Sequence, residues 1–493
     1  MKKFIIVFAA LLAAVLCYDL LRFRLGFSFG LWQEREPAAF MTADAEAIYM
    51  DRGQGPEPFT IRGVNLGVGI PGKWATDYAI DKETYLRWFS QMQEMGANTV
   101  RVYITLQDDF YNAFYEYNTA REAAGEEPLW LIHGVWVNDY VQNSHRDAYH
   151  RDFLEAFVRD GRTMVDVIHG NKRISLGRGT GSGLYRRDIS RWVLGYILGV
   201  EWEDVTVTYT DHKYPDLEPY QGTYLSASDD ATAFESMLAQ AGDRIIAYET
   251  SRYHQQRLVA FSNWPTTDPF LYPEDITTFF MKCAQVDVEH IVAEPAFVSG
   301  QFASYHVYPY YPDYLNYILH PAEMEKSPVW EGKEVVSRVE TGAGTPIGTV
   351  LEQEDFYGPE GEANTYLAYL RALRRHHTMP VVISEFGVST GRGMAQRDQN
   401  TRRNQGHMSE TEQGQALEEC WEDIMTAGCV FTWQDEWFKR TWNTHARRGP
   451  AADALLERLS DQRAVFRPAV LRSRGGGERL LCGRRPFRMD GGG

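Results

Sequence analysis

The chain has 493 residues, 44% hydrophobic and 13% aromatic, which is ample for a large buried core and too apolar for a disordered chain. Its net charge of −17 argues against nucleic acid as a partner, because phosphate contacts need a basic face. The charge is uneven: residues 445–493 carry 11 Arg, no Lys and 5 acidic residues, a net of +6, so the first 444 residues carry −23.

The N-terminus reads Met1-Lys2-Lys3 and then an apolar run from Phe4 to Tyr18, extendable to Leu21, with Arg22 and Arg24 beyond. A charged start followed by an apolar stretch is the pattern of a secretory signal. The run is short for a bilayer span, which takes about 20 residues. Residues 1–24 therefore read as a signal peptide or a membrane anchor, with residues 4–21 as the tether. The chain is expected outside the cytoplasm, secreted or anchored. Residues 25–58 read as a linker. Of the five cysteines, Cys420 and Cys429 read as buried free thiols, and no spacing suggests a disulfide framework or a metal site.

From Phe59 strands and helices alternate. Strands are expected at Phe59 to Asn65, Asn98 to Tyr103, Leu129 to Val137, Trp192 to Val200, Leu258 to Ser262, Ala303 to Tyr308, Val381 to Ser384 and Cys429 to Trp433. Trp192 to Val200 is apolar throughout, as in a strand buried on both faces. Helices are expected at Asp81 to Gly96, Asp147 to Ile168, Ala231 to Gln256, Glu362 to His377 and Glu412 to Ala427, the first with Asp81 as N-cap and Gly96 as stop. Eight strands with intervening helices predict an α/β fold, a closed (β/α)8 TIM barrel over residues 59–444. Residues 328–358, rich in Gly and Glu, read as an insertion after the sixth strand. Arg178-Gly-Thr-Gly-Ser-Gly183 lacks the ending of a phosphate loop and reads as a plain loop.

Barrel enzymes carry their chemistry at the C-terminal ends of the strands. Glu385 follows the seventh strand and Glu201 the fourth. A carboxylate directly after an apolar strand is costly unless it is paired or functional. Two on one rim suit glycoside hydrolysis, in which one protonates the leaving oxygen and the other attacks or activates water. Arg101 could pin the nucleophilic carboxylate, Tyr308 could hydrogen-bond it, and His306 could orient either group. Trp433 and Trp437 at the eighth strand offer flat faces for a sugar ring. Trp74, Trp136, Trp264, Tyr310 and Tyr311 fall in the upper loops and add aromatic surface to a carbohydrate cleft. Glu203 and Glu249 are fallback acids, Glu203 by strand alternation with Glu201. A metal centre is not expected, because His133 and His306 stand apart.

Arg62-Gly-Val-Asn65, Asn98-Thr-Val-Arg101, His306-Val-Tyr308, Ile383-Ser-Glu-Phe-Gly387 and the Trp433 strand end together resemble the retaining glycoside hydrolases of clan A, nearest to the cellulase-type family 5. The resemblance spans Phe59 to Asn443. It implies Glu385 as nucleophile and Glu201 as acid/base, with Arg101, His306 and Tyr308 supporting the nucleophile and Trp433 under the reacting sugar. It further implies net retention on a β-linked glycan, without a cofactor.

One position departs. The clan pattern places Asn immediately before the acid/base to bind the sugar 2-hydroxyl, and here that position is Val200. Losing that bond removes several kcal/mol, on the order of the handhold such hydroxyls supply in the transition state. The alternative function is therefore a catalytically impaired glycan-binding accessory protein of polysaccharide synthesis or export. The tail, residues 445–493, reads either as a solvated, disordered basic tail or as sequence out of frame with the barrel's gene.

Overall fold

A computed structural model describes residues 2–24, 37–70, 72–137, 147–177, 180–272, 282, 284–311, 344–390, 394–424 and 427–434. Trp437, Cys283, Cys482, the tail and the first part of the expected insertion lie outside the described residues.

Eight parallel strands close into a barrel. In chain order they are Arg62–Leu66, Thr99–Val102, Trp130–Val135, Val193–Leu198, Leu258–Asn263, Ala303–His306, Val381–Phe386 and Gly428–Val430. They are called the first to eighth strands below. Each pairs with its sequence neighbour, and Gly428–Val430 pairs with Arg62–Val64 to close the ring. All residues of the second, third, fourth, fifth, sixth and seventh strands are buried, which is why they read as near-continuous apolar runs.

Helices Lys82–Glu94, Asp108–Ala123, Arg151–Ile168, Asp204–Lys213, Ala233–Tyr253, Thr365–His376 and Glu410–Ile424 flank the strands. Asp81 caps the first of these, accepting from the Thr84 N–H at 2.8 Å, and so satisfies one of the orphan donors of a helix start. Helices Asp108–Ala123 and Asp204–Lys213 were not expected from the sequence. The helix expected from Asp147 begins at Arg151, while Asp147 pairs with Lys213 at 2.7 Å.

One expectation needs correction. Residues 37–58 are not a linker. Met41–Ala43, Ile48–Asp51 and Pro56–Pro58 form an antiparallel meander, and its Met41, Ile48 and Met50 are buried in the main core. Ala43 N–H donates to Ser299 O, just before the sixth strand, and Ala38 N–H to His254 O, just before the fifth. The meander thus closes the N-terminal end of the barrel. Residues 344–358, the described part of the expected insertion, are also ordered against the barrel. Thr345–Pro346 pairs with Phe270–Leu271, and Asp355 is paired with Arg375.

The glycine-rich loop at Gly181 approaches the chain after the second strand. Gly181 N–H donates to Thr105 O at 2.7 Å, and a Cβ there would lie 2.1 Å from the Leu106 backbone. Gly181 and Gly183 thus serve close packing. Ahead of the barrel, residues 3–18 of the N-terminal helix are exposed, while Asp19, Arg22 and Phe23 meet the barrel; the span Lys3–Phe23 has a mean hydropathy of 2.6. By length and composition it can cross a membrane.

Candidate active site

Glu385 sits in the seventh strand near its C-terminal end, 6% exposed. A lone buried carboxylate would cost several kcal/mol, on the order of a desolvated ion. Here both oxygens are occupied. Oε1 accepts from Tyr103 Oη at 2.6 Å and lies 3.4 Å from Arg101 Nη1 and 3.4 Å from His306 Nδ1. Oε2 accepts from Tyr308 Oη at 2.7 Å. Burial pushes the Glu385 carboxyl up. The charges of His306 and Arg101, with the Tyr103 and Tyr308 hydroxyls, outweigh it and hold the group below the usual carboxylate range. Burial first, and then the charge of Glu385, holds the Tyr308 hydroxyl well above its ordinary value, so it stays a donor.

Arg101, 2% exposed, is itself held in place. Its Nη1 donates to Ser384 O at 3.0 Å and Asn65 Oδ1 at 3.2 Å, and its guanidinium lies 4.4 Å from the Tyr103 ring centroid. The Asn65 amide donates to Ser384 O, Cys429 O and Val430 O at 2.9, 3.0 and 3.2 Å. One buried amide therefore ties the first strand to the seventh and eighth.

Glu201 arrives by a turn after the fourth strand. Gly199 adopts φ +99° there, and a Cβ on it would lie 2.1 Å from the Trp202 ring, so the turn needs glycine. Val200 is buried. The Glu201 side chain is 28% exposed, and its Oε1 lies 2.9 Å from His306 Nδ1. One oxygen of Glu201, one of Glu385 and a ring nitrogen of His306 all lie within 4.8 Å of one another. His306 thus bridges two carboxylates, and its buried Nε2 has no hydrogen-bond partner among the described residues.

The geometry brings together Glu385, Glu201, Arg101, His306 and Tyr308. It does not bring in the fallback acids. The strand ends at Leu198, so alternation does not extend to Glu203, which is instead the N-cap residue of helix Asp204–Lys213. Glu249 is buried against Arg257 at 2.8 Å, His169 at 2.8 Å and the Tyr196 hydroxyl at 2.8 Å. Arg257 directly precedes the fifth strand, so this cluster lies toward the opposite end of the barrel.

The aromatic residues divide. Trp264 is buried, stacks on Tyr311 and donates its indole N–H to Trp202 O at 3.1 Å. It packs under the turn that carries Glu201 and is no open platform. Tyr310 is likewise buried. Trp136 and Trp433 are half-buried at strand exits, with the Trp433 backbone held by Asn65 O. Two residues were missed by the sequence reading. Tyr103 lies two positions beyond Arg101, so alternation along the second strand was the available signal. Phe431 sets its ring edge-to-face with Tyr103 and Tyr308, at centroid distances of 6.4 and 6.5 Å.

A second group, Asp287, His376 and His377, also offers ligand atoms within 4.8 Å. His376 Nε2 is engaged with Asp287 at 2.8 Å, and His377 bonds Glu289 and the Tyr305 hydroxyl through its two nitrogens. The ring contacts supply an internal account of that cluster.

No protein-family model matches the chain, and no curated protein matches it. Solved structures do match at low identity. The endo-1,4-β-mannanase of Rhizomucor miehei is 13% identical with a TM-score of 0.39, covering 80% of this chain and 90% of that one. The catalytic domain of an endoglucanase from Thermobifida fusca is 10% identical with a TM-score of 0.36, over 81% and 86%. A β-glucanase from Saccharophagus degradans, in complex with cellotetraose, is 12% identical with a TM-score of 0.38, over 88% and 98%. At these scores the likenesses carry no argument about chemistry, which rests on the chain's own side chains.

Proposed function

We propose that the chain is a retaining glycosidase or transglycosidase acting on β-glycosidic bonds of a polysaccharide or oligosaccharide. Glu385 is the nucleophile and Glu201 the acid/base. The observation that carries this reading is an ionised, fourfold-supported carboxylate facing a second carboxylate, with oxygens within 4.8 Å.

In the first step Glu385 attacks the anomeric carbon, forming a C–O ester bond as the glycosidic C–O bond breaks. Glu201 gives its proton to the departing oxygen. In the second step Glu201 takes a proton from water or a sugar hydroxyl, whose oxygen bonds the anomeric carbon and releases Glu385. Arg101, Tyr103 and Tyr308 hold the nucleophile in its charged form, and His306 sets the two carboxylates relative to each other. Trp433, Trp136 and Phe431 are the aromatic groups at the strand exits available to a pyranose. The apolar helix Lys3–Phe23 tethers the barrel to a membrane on its extracytoplasmic side.

The second reading, a glycan-binding accessory protein, is favoured by two observations. Val200 is apolar and buried beside Glu201, and both oxygens of Glu385 are already hydrogen-bonded. A panel of aryl β-glycosides and polysaccharides separates the two. Turnover that vanishes in Glu385→Ala, with the fold intact, supports the glycosidase. Saturable oligosaccharide binding with no turnover on any substrate supports the accessory protein.

A further inference from the structure

The N-terminal helix ends on the barrel, and a hairpin receives it. Lys2–Asp19 has 18 residues, a length of about 27 Å against a hydrocarbon core of about 30 Å. Asp19 therefore falls where the apolar span gives way to lipid headgroups. It pairs there with Arg173 at 3.2 Å and with Arg186 at 3.0 Å. Arg22 Nε donates to Asn171 Oδ1 at 3.2 Å. The Phe23 ring is buried, with the Arg186 guanidinium 5.0 Å from its centroid.

The receiving hairpin pairs Lys172–Ile174 with Gly183–Tyr185, between helix Arg151–Ile168 and the fourth strand. It is fastened at both ends. At its root, Ile189 N–H donates to Ile168 O at 2.8 Å. Further along, Gly181 N–H donates to Thr105 O at 2.7 Å, Ser182 N–H to Gln107 Oε1 at 3.0 Å and Leu184 N–H to Asp108 Oδ2 at 2.9 Å. The hairpin thus runs up the flank of the barrel from its base to its catalytic end and is tied to the wall along the way. Because Arg173 and Arg186 touch Asp19, this flank stands at the bilayer surface whichever end of the barrel lies nearer the lipid.

Its chemistry suits that place. Lys172 is spent on Asp166 at 3.1 Å. Arg22, Arg173, Arg186 and Arg187 remain, against the carboxylates of Asp19 and Asp188, in a chain whose net charge is −17. Arg186 and Arg187 are exposed. Arg187 lies 5.0 Å from the Tyr115 ring centroid and makes no ion pair among the described residues. Leu176, three residues after Arg173, is 75% exposed. Among the described residues no other large apolar side chain outside the N-terminal helix is so exposed. Guanidiniums bind phosphate by charge-assisted hydrogen bonds, and an exposed leucine beside them gains by entering the acyl boundary.

We propose that this hairpin is a membrane-contact surface, binding anionic phospholipid headgroups through Arg173, Arg186 and Arg187 with Leu176 set into the acyl boundary. The barrel is then held to the lipid at two places, its helix and its flank, rather than swinging on a tether. The proposal rests on the reading of Lys3–Phe23 as a membrane anchor and is independent of the glycosidase reading.

The test reconstitutes the full chain in vesicles of phosphatidylcholine, with or without phosphatidylglycerol, that contain brominated lipids as quenchers. A fluorophore on a bioorthogonal residue replaces Leu176 or, as a control, Tyr357, which is 39% exposed and lies between the sixth and seventh strands. Quenching should be several-fold stronger at position 176, and stronger still with phosphatidylglycerol. Added salt should remove that increment, because it screens exposed charges. Equal quenching at the two positions, or no dependence on phosphatidylglycerol, overturns the proposal. The double variant Arg186→Ala, Arg187→Ala should still float with vesicles but lose the increment; an unchanged increment overturns the assignment of headgroup binding to these arginines. Failure of the parent chain to float overturns the anchor and this proposal together. Because the fluorescence readout needs no turnover, an inactive chain with the expected quenching would sink the glycosidase reading alone.

Discussion

Tyr103 donates its hydroxyl to Oε1 of Glu385 at 2.6 Å. A hydrogen bond to a charged group is worth about 1.5–3 kcal/mol, or roughly one to two pKa units. The proposed nucleophile has to be ionised to attack, and the Glu385 carboxyl is held below its usual range. Tyr103→Phe should therefore move the acid limb of kcat/KM upward by about one unit. A pH–rate profile checks this; an unmoved limb would show that Tyr103 does not tune Glu385.

Removing the buried guanidinium should be felt in stability. Arg101→Met leaves Glu385 short of a charge partner in a dry site, at a cost of about 3–5 kcal/mol near neutrality. The depressed carboxylate stabilises the fold above its unfolded pKa, and that contribution fades as pH falls through the folded value. The gap between variant and parent should thus narrow on acidification. Urea denaturation at pH 7 and pH 4 measures it, and a gap that widens toward acid contradicts the pairing.

Glu201→Gln should separate substrates by their leaving groups. General acid–base assistance contributes about 10²–10⁴ in rate. Glycans with alkoxide leaving groups should lose that factor, whereas aryl glycosides of acidic phenols should keep their first step and accumulate the ester. Added azide should then release a β-glycosyl azide. Equal losses across all leaving groups would take Glu201 out of the acid role.

His133 is wholly buried, its Nδ1 facing Gly134 O at 2.9 Å and its Nε2 facing the Tyr111 hydroxyl at 2.7 Å. Burial pushes it down to about 4, against the Gly134 hydrogen bond, which raises it. The neutral ring is fully stabilising above its unfolded value of about 6.5, and the contribution is lost as pH falls toward 4. The swing is about 3 kcal/mol. His133→Gln should flatten stability over that window. A slope equal to the parent's would assign it to other groups.

The barrel was legible because the second to seventh strands are buried along their whole length, so Trp192 to Val200 and Val381 to Ser384 could be read as apolar runs with carboxylates at their exits. Helix Asp204–Lys213 was not. Its Val-Thr alternation reads as a strand, and the structure makes it helical with Thr208 and Thr210 hydroxyls bonding back to the carbonyls of Asp204 and Thr206 at 2.9 and 2.8 Å. Exposure was the other blind spot. Trp264 and Trp433 are the same residue in comparable loops, yet only packing decides that one is buried beneath the Glu201 turn and the other stands at the rim. Glu249 showed the same limit, since nothing local says that Arg257 and His169 close around it.

Asn65 adds a side-chain fastening where the paired first and eighth strands close the ring. Its amide clasps the carbonyls beside Glu385 and those of the final strand, while its own oxygen receives Arg101. Loosening where the first and last strands meet would unsettle the charged cradle before helices elsewhere gave way. On the glycosidase reading, turnover should then fade on heating ahead of any change in the bulk helical signal.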